Sequence, residues 1–257
     1  MSIPFRLDEA KVREGLAHLQ AVDKHFARAI ALHGPPPLRV MEEGFASLLR
    51  AIMGQQVSVH AARAIWERLE RTAGTVTPQR ILELEDAHFR TAGLSGAKMR
   101  YARALAQDTA EGRIDFPALS ALDDDAVVAM LTQAKGIGRW TAEMYLMFAL
   151  GRPDIMPGSD LGLIVAAQHL KGLRKRPEPK RLLKLAEAWK PWRSVAALFL
   201  WHYRRTMPDW SEGRSATPRA PAPAPARKTR AAPVPRRKTT KKKPAAKRVT
   251  ARSKGKR

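Results

Sequence analysis

Through roughly the first 206 residues, apolar side chains recur every three or four positions and form no convincing alternating run. Such a chain buries them as the faces of packed helices. In DEAKVREGLAHLQAVDKHFARAIALHG, Val12, Leu16, Leu19, Phe26 and Ile30 share one side, and Gly34 with three prolines ends the run. The spacing predicts further helices at about 43–53, 58–72, 78–84, 96–111, 123–132, 139–150, 160–170, 178–190 and 192–206. Ser58, Asp86 and Asp123 stand at expected helix starts, where a short polar side chain satisfies free amides. The expected fold class is all-α: roughly ten helices over residues 1–212, in two lobes, because one helical layer cannot cover so many apolar faces.

Charge divides the chain. Of the net +23, the stretch from Gly213 to Arg257 contributes +17, with 17 Lys and Arg and no Asp or Glu, which leaves +6 for the 212 residues before it. Residues 213–257 also repeat Ala-Pro and hold no aromatic residue, so they are expected to form a disordered tail. Its charge suits a tether to DNA that works by counterion release, insensitive to sequence and sensitive to salt; a solubilising extension is the plain reading. With no cysteine, the chain has no disulfide, no thiolate-bound zinc and no iron–sulfur cluster held by cysteine. No stretch is apolar and long enough to cross a membrane, and MSIPFRLDEAKV lacks a signal-peptide core. The reading is cytoplasmic and nucleoid-associated, of bacterial type, and monomeric.

Two glycines mark the segment QAKGIGRWTAEMYL, where one helix ends and another begins near Arg139. Gly136 and Gly138 around Ile137 allow a tight hairpin, and the first amides of the second helix then point outward with the positive end of the helix dipole behind them. Flanked by Lys135 and Arg139, that arrangement would seat a backbone phosphate without reading base sequence. A plain glycine-capped helix end is the other reading of Gly-Ile-Gly alone.

KGIGRWTAEMYLMFALGRPDIMPGSDLGLIVAA resembles the hairpin-plus-aspartate signature of the helix-hairpin-helix DNA glycosylases. LLRAIMGQQVSVHAARAIW (48–66) and WKPWRSVAALFLWHY (189–203) are similar to two further blocks of its AlkA-type 3-methyladenine DNA glycosylase II branch. The likeness runs from about residue 38 to 206, in the short form that lacks an N-terminal β domain. It implies an enzyme that flips a damaged base out of duplex DNA and hydrolyses its N-glycosidic bond, the first step of base excision repair.

The resemblance assigns residues. Asp160 matches the catalytic aspartate; read alone, it is an N-cap for LGLIVAAQHL. Bifunctional members carry a lysine immediately after the position of Arg139, where this chain has Trp140, which implies a hydrolase without lyase activity. Trp140 and Trp201 match pocket tryptophans, suited to the cation that an alkylated purine carries; helix core is the plain reading of Trp201. Two other pocket positions, often aromatic in the family, are Met144 and Leu161 here. Gln56 matches the side chain that fills the gap in the duplex, with Gln55 beside it, and Thr141 belongs to the hairpin. Arg193 suits either a phosphate contact or a structural salt bridge. No cofactor is required, although a monovalent cation on hairpin carbonyls near Gly136 and Gly138 is a family feature. A glycosylase for uracil, hypoxanthine or a mismatched base, and a DNA-binding protein without catalysis, are the alternatives.

Overall fold

The computed structural model describes residues 6–206, and every regular element among them is helical. The basic tail expected from residue 213 onward lies outside the described residues. The chain opens with α1 (Glu9–Val22) and α2 (Lys24–His33), where the periodicity had suggested one helix. Asp23 divides them: its carboxylate accepts the His25 amide and caps α2. Next come α3 (Phe45–Met53), α4 (Val59–Ala73), α5 (Pro78–Glu83), α6 (Asp86–Ala92) and α7 (Gly96–Ala110). They are followed by α8 (Phe116–Leu119), α9 (Asp124–Leu131), α10 (Arg139–Phe148) and α11 (Leu161–Leu170). The last helices are α12 (Pro179–Ala186), a single 3-10 turn at Glu187–Trp189, and α13 (Arg193–Thr206).

Helix α8 was not expected, and α6 was marked only by Asp86 at a helix start, with no range of its own. Ser58 and Asp123 are caps as read, whereas Glu85 caps α6 and Asp86 is its first residue.

Two groups of helices share one core. α1 and α2 return to pack against α11 and α13, while α3 to α7 form the other group, joined to the α9–α10 pair through α3. Phe26 anchors the first group, edge-on to Trp189 at 5.1 Å and 5.5 Å from Phe199. Each of these fully buried aromatics contributes on the order of 2–3 kcal/mol of apolar transfer. Below them, Asp23 accepts the indole N–H of Trp189 at 2.9 Å and pairs with Lys171. Burial alone would raise the Asp23 carboxyl, but these hydrogen bonds outweigh it and hold it below its ordinary value.

The connection from α10 to α11 is pinned to α13. Ser194 donates its hydroxyl to the Arg152 carbonyl at 2.6 Å and accepts the Ile155 amide at 2.9 Å. Arg193 grips both oxygens of Asp154 at 2.8 and 2.9 Å. This pins residues 152–155 of the connection that leads to Asp160.

Candidate active site

Asp160 sits at the N-terminus of α11, half-buried, where its local sequence placed it. As the N-cap it accepts the Leu163 amide on Oδ1 at 2.8 Å. The same oxygen accepts the indole N–H of Trp201 at 3.1 Å, and Oδ2 accepts that of Trp140 at 3.0 Å. Three donors from α10, α11 and α13 thus fix the carboxylate in one orientation.

The two indoles differ in exposure. Trp140, at the first turn of α10, is 38% exposed, whereas Trp201 is partly buried and stacks on Phe148 at 5.9 Å. Met144 follows Trp140 by one helical turn and is buried, and Leu161, beside Asp160, is 58% exposed. An apolar, indole-rich wall around a fixed carboxylate suits a flat, electron-poor ring.

Arg204 also reaches this site. A β-carbon on Gly162 would lie 2.5 Å from Arg204 Nη1 and 2.9 Å from Asp160 Oδ1, so the glycine lets the guanidinium approach the carboxylate. Sequence reading missed Arg204 and Phe148, although Arg204 follows Trp201 by three residues and so shares its side of α13.

The hairpin precedes α10 as expected. Gly136 has φ +92°, and a β-carbon there would stand 2.5 Å from the ring of Tyr101. Ile137 is buried and anchors the turn. Gly138 is the N-cap of α10 with no side-chain cap, and nothing lies within 4 Å of where its β-carbon would be. The outward side of the hairpin is therefore open at the amides a phosphate would use. Lys135 is exposed, and Arg139 is mostly exposed while paired with buried Glu143 at 2.9 Å. Burial raises the Glu143 carboxyl despite that pairing.

The two glutamines separate. Gln55 turns inward: its amide N–H donates to the Gly136 carbonyl and to Thr141 Oγ1, both at 3.1 Å, and ties the α3–α4 loop to the hairpin. Gln56 is exposed at φ 57°, a left-handed conformation that costs a side-chain-bearing residue energy and turns up often at functional sites. Lys98 braces the same loop through the Met53 carbonyl at 2.6 Å. Arg193 lies in the ion pair with Asp154, so of its two sequence readings the salt bridge is the one this geometry carries. The carbonyls of the two hairpin glycines already accept protein donors, Gly136 from Gln55 and Gly138 from the Thr141 and Ala142 amides.

A model of the HhH-GPD superfamily of base excision DNA repair proteins matches residues 49–191. DNA-3-methyladenine glycosylase 1 of Schizosaccharomyces pombe is 35% identical over 191 residues, 72% of this chain and 84% of that protein. The solved structure of an S. pombe 3-methyladenine DNA glycosylase in complex with abasic DNA matches with a TM-score of 0.69 at 33% identity, covering 76% of this chain and 98% of that one. DNA-3-methyladenine glycosidase from Bacillus halodurans matches at 0.66 and 36% identity, covering 73% and 87%.

Proposed function

Because the chain belongs to the HhH-GPD superfamily of base excision DNA repair proteins, we propose that it is a monofunctional glycosylase that removes alkylated purines, of the 3-methyladenine and 7-methylguanine type, from duplex DNA. One observation carries this reading: the Asp160 carboxylate is gripped on both oxygens by indoles whose rings border the same site.

The hairpin amides and Lys135 hold the strand by its backbone while the damaged nucleotide rotates out, at a cost of a few kcal/mol that is smallest for a damaged base. Gln56, held outward, enters the gap. The purine cation lies against Trp140 and Trp201, an attraction of about 0.5–2 kcal/mol once water is excluded. As the bond to the sugar breaks, positive charge develops at the anomeric carbon, and Asp160 stabilises it and orients or deprotonates the attacking water. The alkylated base departs neutral, so no general acid is needed. Trp140 stands where a Schiff-base lysine would, with its N–H committed to Asp160, which favours water as the nucleophile and an abasic site as the product. No step uses a cofactor or a metal ion; a structural monovalent cation on the hairpin carbonyls would share them with the Gln55 amide and the first amides of α10. The working form is a monomer in the cytoplasm, on the nucleoid.

The test is release of free base from methylated duplex DNA. The reading expects 3-methyladenine or 7-methylguanine, strand breaks only after hot alkali, and no borohydride-trapped adduct. Release of uracil or hypoxanthine with no alkylpurine would favour another substrate; the replacement of two pocket aromatics by Met144 and Leu161 makes that the second reading.

A further inference from the structure

A cluster of cations outside this site forms no ion pair among the described residues. Arg174, Lys175, Arg176, Lys180, Arg181 and Lys184 are exposed, Glu178 is the one acid among them, and none forms an ion pair among the described residues. Their neighbours behave otherwise: Lys171 pairs with Asp23, Lys190 with Glu187 and Arg193 with Asp154. Six like charges on one loop and one helix repel each other, a cost that a polyanion bound across them offsets.

Geometry places the cluster next to the catalytic segment. Leu183, on the exposed face of α12 with Lys180 and Lys184, lies against Gly158; a β-carbon there would be 2.8 Å from its Cγ. Gly158 is two residues before Asp160, whose carboxylate accepts the indole N–H of Trp140 from the helix that follows the hairpin. Three of these cations, Arg174, Lys175 and Arg181, line an open cleft of about 830 Å³ with Gly172 and Leu173.

We propose that the exposed face of α12 and the loop before it form a second DNA-binding surface, holding backbone phosphates of the damaged strand on the side of the flipped nucleotide away from the hairpin. The proposal rests on the glycosylase reading for the position of that nucleotide. The cations meet the backbone as point charges, so the surface adds affinity and register without sequence preference.

A chain without cysteine allows a direct test. Lys184→Cys in the full chain is presented with duplexes that carry one stable abasic-site analogue and, at successive phosphates of the same strand, a tethered thiol activated as a mixed disulfide, into which the introduced thiolate exchanges with release of the small thiol. Glu70→Cys, on an exposed position of α4 about 18 Å along that helix from Ser58, is the control. Disulfide cross-linking should gather at phosphates on one side of the analogue, at least about tenfold above the control. Neutralising Lys180, Arg181 and Lys184 to Gln should lower the salt dependence of duplex binding by about one unit of slope per lost contact, the tail being common to both proteins. Cross-linking spread evenly along the strand, or no greater than the control, overturns the proposal. Base release by the unmodified chain is read in parallel. Its absence beside one-sided cross-linking would sink the glycosylase reading and spare the surface; its presence beside even cross-linking would sink the surface alone.

Discussion

Trp201 donates its indole N–H to Asp160 Oδ1 at 3.1 Å, across 41 residues of sequence, so the indole wall and the carboxylate proposed to do the chemistry are one unit. Trp140 does the same to the other oxygen. Trp201→Phe and Trp140→Phe keep a ring and remove the donor. Hydrogen bonds to a charged group contribute about 1.5–3 kcal/mol, so each variant should slow base release by at least about tenfold. Thermal unfolding of Trp140→Phe, at an exposed position, should shift little.

The hairpin glycines should separate folding from binding. Gly136→Ala forces a β-carbon into Tyr101 at φ +92° and should cost about 2–3 kcal/mol in denaturant unfolding. Gly138→Ala meets open space at an ordinary φ of −93° and should cost less than about 1 kcal/mol. Its effect should appear instead as duplex affinity weakened about tenfold, because the new methyl stands where a phosphate approaches.

Gln56 is held in a conformation that glycine adopts freely. Gln56→Gly should therefore leave stability within about 1 kcal/mol, while base release falls roughly tenfold because nothing fills the gap in the duplex. A 2-aminopurine placed opposite the lesion should report the lost contact as a changed fluorescence.

Acid should loosen the lobe that contains α1 and α2. The Asp23 carboxyl titrates below its ordinary 3.8, so its stabilisation is fully present above that value and is lost as pH falls through the lowered one. Asp23→Asn leaves Lys171 half-buried without its carboxylate and should cost about 3 kcal/mol at pH 7. In urea melts between pH 7 and 2, the gap between the two proteins should narrow below about pH 4.

What the sequence revealed is local. Helix faces, the caps at Ser58 and Asp123 and the Gly-X-Gly turn follow from residues a few positions apart, and the fold class followed from them. The break at Asp23 was hidden because the apolar spacing runs on from Leu19 to Phe26 while one residue ends α1 and caps α2. Four-residue α8 is too short to show a period. At the site, Tyr101 against Gly136, Arg204 over Gly162 and Gln55 under the hairpin join residues 35 to 81 positions apart, or meet through a missing side chain, and leave no mark on local pattern. Asp160 shows the limit most plainly: its capping role was legible from the residues alone and is the one the geometry shows, while the role in chemistry proposed for it rests on a resemblance.

The most direct measurement compares base release from methylated duplex DNA by the wild-type chain and by Asp160→Asn. Asparagine caps a helix as well as aspartate does, so α11 and the unfolding midpoint should be preserved while the anionic oxygen is lost. A catalytic Asp160 carboxylate predicts release of alkylated purine by the wild type, reduced at least about a hundredfold in the variant, with duplex binding retained. Release that is unchanged in a folded Asp160→Asn protein would contradict it.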